Sequence, residues 1–128
     1  MRIFKYRTFR QWARSEGLGD SLLKNAVDEM EKGLVDAYLG SGLYKKRIAR
    51  KGRGKSGGYR TILAFKQNDR AFFMYGFAKN ERDNITAKEE LVYKKLARYY
   101  LEVTDQKCEM LVKNGELFEV IYEDSKKN

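Results

Sequence analysis

Leu22, Leu23, Ala26, Val27 and Met30 recur at steps of three and four residues, the spacing of one helical face. Asp20 or Ser21 stands where an N-cap belongs, and Gly33 stands where a left-handed backbone ends a helix. The pattern therefore predicts a helix to about Lys32. Phe9 and Trp12 on one side, with Arg10 and Arg14 on the other, predict a shorter helix over Phe9–Glu16. Thr8 is its expected cap, and Gly17 and Gly19 break the chain after it.

The pattern then changes period. Leu43–Arg50 reads as a strand, and Lys51–Gly58 as a glycine-rich loop. Tyr59–Phe65 and Arg70–Phe77 are rich in β-branched and aromatic residues, and the polar stretch Lys66–Asp69 between them predicts a tight turn. The two should form an antiparallel hairpin. Both are apolar at consecutive positions, which predicts central strands covered by helices on at least one side. Thr86-Ala87-Lys88-Glu89 is a capping-box sequence opening a long helix with Leu91, Leu96, Ala97, Tyr100 and Leu101. Thr104 caps a short last helix ended by Gly115, and Glu116–Tyr122 alternates as a final strand would. The tail from about Glu123 is polar. Helices, then strands, then helices make the expected class α+β, in a single domain over residues 1–128.

Charge sharpens this picture. The chain has 27 Lys and Arg against 18 Asp and Glu, a net charge of +9. Between Asp36 and Asp69 there is no acidic residue, while Lys45, Lys46, Arg47, Arg50, Lys51, Arg53, Lys55, Arg60 and Lys66 all fall there. The whole excess sits in that segment, and such a concentrated field attracts polyanions, nucleic acid above all. A second basic group, Arg2, Lys5, Arg7, Arg10 and Arg14, lies near the N-terminus and suits either RNA or an acidic protein partner. The one cysteine, Cys108, fits a reducing compartment. With no histidine and one cysteine, no zinc site is expected, and no other metal or cofactor. No uncharged run approaches the ~20 residues of a membrane span. The N-terminal stretch lacks the apolar core of a signal peptide. The expectation is a soluble cytoplasmic protein.

Two stretches carry candidate chemistry. Gly54-Lys55-Ser56 resembles part of a phosphate-binding P-loop, but Ala49 occupies the position of the required first glycine, and a strand-like stretch rather than a helix follows. Nucleotide hydrolysis is therefore rejected. Lys51, Arg53 and Lys55 alternate with glycines instead, which suits close approach to a phosphate chain. Tyr44 and Tyr59 nearby are candidates for stacking on bases. The second stretch is Gly76–Asn84, which leaves the most apolar strand with Lys79, Glu81 and Arg82.

Arg47–Thr61 followed by Phe73–Arg82 resembles the signature of the HigB-type branch of the RelE toxin superfamily, and the similarity extends to Gly115–Val120. The resemblance implies a RelE-like fold, with N-terminal helices and a long C-terminal helix packed on a small, mostly antiparallel sheet. It implies an mRNA-cleaving toxin that often acts on the ribosome and is neutralised by a helix-turn-helix antitoxin. A sister branch, resembling ParE, inhibits DNA gyrase instead, and a non-catalytic RNA-binding module is a further alternative.

Cleavage by the RNA's own 2′-hydroxyl requires a base, charge stabilisation at phosphorus and protonation of the leaving oxygen. Arg53, Lys55 and Arg60 are expected to clamp phosphate, with Lys79 and Arg82 facing them. A lysine of lowered pKa, Tyr59 or Glu81 would move the proton. Lys45, Lys46, Arg47, Arg50 and Lys51 are expected to extend the RNA-binding surface.

Overall fold

The computed structural model describes residues 1–50 and 54–122, the side chains of 54–56 excepted. In chain order its elements are β1 (Arg2–Tyr6), α1 (Arg7–Glu16), α2 (Asp20–Glu31), β2 (Ala37–Gly40), β3 (Leu43–Arg50), β4 (Gly54–Lys66), β5 (Arg70–Ala78), α3 (Ala87–Glu102), α4 (Asp105–Lys113) and β6 (Leu117–Glu119). The strands form one sheet in the order β2-β3-β4-β5-β1-β6, antiparallel except where β1 runs parallel to β5. This is the expected α+β class.

The hairpin β4–β5 lies at the centre, and its consecutive apolar residues are buried on both faces. On one side Phe9, Leu23, Val27 and Met30 of α1 and α2 pack with Ile48, Leu63 and Phe73. On the other, Ala97 of α3 and Cys108 and Leu111 of α4 pack with Ile62, Phe72 and Met74. No helix among the described residues is long and apolar enough to cross a membrane.

Local chemistry explains most boundaries. The capping box forms at α3: Thr86 Oγ1 accepts from the Glu89 amide at 3.1 Å, and a Glu89 carboxylate oxygen accepts from the Thr86 amide at 2.7 Å. Such a cap contributes about 1 kcal/mol. Thr104 Oγ1 caps α4 through the Lys107 amide. Thr8 and Asp20 do not cap. Tyr6, still paired with Leu117, stands at the N-cap of α1, and the Arg7 amide donates to Glu116 O at 3.2 Å. Gly19 precedes α2, while the Asp20 carboxylate accepts from Lys5 Nζ at 2.6 Å and the Ile121 amide at 2.9 Å.

Three features were not expected from the sequence. β1 inserts between β5 and β6, burying Ile3 towards α1 and α2 and Phe4 towards α3 and α4. The short β2 adds an edge beside β3. β4 starts at Gly54, so the expected Lys51–Gly58 loop is largely strand.

A bulge in β5 decides what its end presents. Ile62 pairs with Tyr75 and Leu63 with Phe73, leaving Met74 as an extra residue. Before it, Phe72 lies on the α3 side and Phe73 on the α1 side. After it the parity is reversed: Tyr75 and Phe77 lie on the α3 side, and Gly76 is under Trp12 of α1.

Candidate functional site

The two stretches singled out in the sequence meet at one end of the sheet. Arg60 pairs with Phe77, Tyr59 pairs with Ala78, and the Lys79 amide donates to Gly58 O at 3.0 Å. The chain then turns: the amides of Glu81 and Arg82 both donate to Ala78 O, at 3.0 and 3.2 Å. This turn carries Arg82 back over β5.

Each of the three guanidinium nitrogens of Arg82 makes one hydrogen bond, which leaves one N–H on Nη1 and one on Nη2. Its Nη1 donates to the Tyr75 hydroxyl at 2.7 Å, its Nε to Asn84 O at 2.8 Å, and its Nη2 to the Glu89 carboxylate. The guanidinium also lies over the rings of Tyr75 and Phe77, at 5.5 and 5.8 Å from their centroids. The Glu89 bond is the main reason its pKa is raised, so it stays cationic. In return, the bond from Arg82, followed by that from the Thr86 amide, holds Glu89 below the ordinary carboxylate range. One glutamate thus caps α3 and fixes the arginine. Lys45 reaches the same corner from β3, donating to Asn84 Oδ1 at 3.2 Å, and Lys79 pairs with Asp83.

Beside this corner lies a cleft of about 330 Å³, at the lower end of the ~300–1,000 Å³ usual for small-ligand pockets. β1 pairs with β5 only as far as Phe73, so the later edge of β5 has no strand over it and floors the cleft through Tyr75, Gly76 and Phe77. Thr8, Phe9 and Trp12 of α1 form one wall, and Glu81 and Arg82 the other. Gly76 is required here: a Cβ on it would stand 2.2 Å from the Trp12 ring. Trp12 is half-buried; it packs edge-on to Tyr59 and also lines the cleft.

The remaining expected site residues disperse. Lys46, expected on the RNA-binding surface, is instead 3% exposed; it pairs with Glu29 at 2.7 Å and donates to Leu34 O at 2.9 Å, so it holds β3 to α2. Strand alternation points it towards α2. Arg47 is exposed but donates to Asp36 through both Nε and its amide, at 2.7 Å each. Burial opposes ionisation of Asp36, yet the Arg47 bonds and the nearby Arg47 and Lys46 charges outweigh it and lower its pKa. Arg50 lies over the Tyr59 ring at 5.6 Å.

Tyr59, expected as a proton carrier or stacking surface, is enclosed. It is 4% exposed on the α1 side, its hydroxyl donates to Glu16 O at 3.1 Å, and burial raises its pKa. Tyr44 packs against Tyr38 and Phe65. Lys51 and Arg53 lie outside the described residues, as does the Lys55 side chain. In the N-terminal basic group, Arg2 is bound by Glu119 and Glu109, Lys5 by Asp20, and Arg10 lies over Phe118; Arg7 and Arg14 are exposed. Among the described residues, no three His, Cys, Asp or Glu side chains are grouped as metal ligands would be.

Sequence reasoning missed Tyr75, Asn84 and Glu89. The capping box pointed to Glu89, but only as a helix start. Residues 1–120 match the family model of the RelE toxin of the RelE/RelB toxin–antitoxin system. No curated protein matches the chain.

Proposed function

Because the chain belongs to the RelE toxin family of toxin–antitoxin systems, we propose that it is an endoribonuclease toxin of the HigB-type branch, cutting mRNA on the ribosome and held inactive by a helix-turn-helix antitoxin. The observation that carries this reading is the Arg82 guanidinium, fixed by Tyr75, Asn84 and Glu89 at the strand end where Arg60 and Lys79 also emerge. A guanidinium oriented in advance needs little reorganisation to stabilise charge developing on a phosphate.

In this mechanism the RNA's 2′-hydroxyl loses its proton to water and attacks the adjacent phosphorus, the bond from phosphorus to the 5′-oxygen breaks, and the 5′-oxygen leaves. Arg82, Arg60 and Lys79 offset the extra negative charge of the transition state. Arginine stays protonated, so Arg82 stabilises charge and does not accept a proton. The Tyr75 hydroxyl accepts a hydrogen bond from Arg82, which leaves its own O–H able to donate to the leaving oxygen. Ribosomal positioning of the codon supplies the alignment that a shallow surface does not.

The test is primer extension on mRNA from cells expressing the chain. Cuts inside codons are expected, and Arg82→Ala should lose roughly 10²–10³-fold in cleavage, the scale of removing one charge-stabilising donor. Intact mRNA together with a DNA-damage response would overturn the reading in favour of a ParE-like gyrase inhibitor.

A further inference from the structure

Resting on the RNA-cutting reading for its setting, we infer that the cleft between α1 and the end of β5 is a guanine slot, seating one RNA base beside the Arg82 corner. The walls favour a flat ring. The Trp12 indole lies on Gly76 and lines the cleft with Phe9 opposite the turn, which offers the stacking surface that unpaired RNA bases use.

The polar groups at the mouth select the base. Glu81 is exposed, and among the described residues its carboxylate has neither a hydrogen-bond nor an ion-pair partner, although the chain carries a net charge of +9. An unpaired carboxylate repels phosphate, so this slot is the wrong chemistry for the backbone. It accepts hydrogen bonds only and needs N–H donors. Guanine presents two adjacent donors, N1–H and the N2 amino group, matched to the two oxygens of a carboxylate. Adenine and cytosine offer a single amino group on that edge, and uracil a single N–H. The Thr8 hydroxyl, also on the cleft, is available to the remaining acceptors of the ring. Arg82 follows Glu81 directly, so the residue that reads the base adjoins the residue that holds the phosphate.

Trp12 is the sole tryptophan, so its fluorescence reports on this cleft alone. The full chain is titrated with 5′-GMP, 5′-AMP, 5′-CMP and 5′-UMP, corrected for nucleotide absorbance, with primer extension run in parallel. GMP should perturb the emission with an affinity about tenfold above the other three, the scale of one bidentate base contact. Glu81→Gln should remove that preference while its unfolding midpoint is unchanged, and the mapped cuts should carry guanine at one fixed position that this variant relaxes. Equal response to all four nucleotides, no response to any, or a preference retained in Glu81→Gln overturns the slot. Cleavage without a guanine response sinks the slot and leaves the ribonuclease standing; a guanine response without cleavage does the reverse.

Discussion

Two faces of one sheet treat the same charge in opposite ways. Lys45 and Lys46 are neighbours in β3. Lys46 turns towards α2, where Glu29 and a backbone carbonyl enclose it. Lys45 turns towards α3 and joins Asn84 at the corner shared with Arg82. On the α2 face Lys46 holds a helix to a strand, and at the start of β5 on the α3 face Arg70 does the same through Val103 O and Asp105; at the other end of that face, where β5 leaves the sheet, the cations are assembled around a guanidinium with its orientation fixed and its surroundings open. A run of positive charge in a strand is therefore two populations, and only one belongs to the candidate site.

Substitutions on the two faces should separate cleavage from stability. Arg82→Ala should have the largest effect, the roughly 10²–10³-fold loss of cleavage, while urea unfolding barely moves. Lys46→Ala should do the opposite. It should lower stability by about 3 kcal/mol in urea unfolding, near the lower bound for breaking a buried pair because Glu29 keeps access to water. A stable, inactive Lys46→Ala protein would erase the distinction between the faces. Gly76→Ala forces Trp12 from its seat and should cost about 1–3 kcal/mol of overpacking, with a shifted Trp12 emission maximum; an unshifted spectrum would show that the indole does not rest there.

The smallest effect concerns acid. Glu89 is held below its ordinary value, first by Arg82 and then by the Thr86 amide. A depressed carboxyl contributes stability above the unfolded value of about 4.3, and that contribution fades as pH falls through the lower folded value. Carboxyl-carbon NMR should show Glu89 returning towards the ordinary range in Arg82→Ala. An unmoved titration would assign the depression to the helix cap alone.

Much of this was legible beforehand where the signal is local. Periodicity marked α2, polar residues between apolar runs marked the β4–β5 hairpin, and the Thr86–Glu89 spacing marked α3. Both stretches that build the corner were visible as well. What escaped depends on distant partners. Ile3-Phe4 reads as two apolar residues among charges until both faces of β1 are known to be covered. The Met74 bulge leaves no trace in hydropathy, because every residue around it is apolar, yet it turns Tyr75 to the site and Gly76 to Trp12. The burial of Tyr59 and Lys46 escaped for the same reason: alternation fixes that neighbours face apart, but not which side is covered.

The place of β1 in the sheet also constrains assembly. Phe4 aligns with Phe72 on one side and with Glu119 on the other, so β1 waits for β6, more than a hundred residues later. During synthesis its outer edge stays bare until residues 117–119 emerge, and a chain cut short of them would carry an unsatisfied ribbon of backbone open to aggregation.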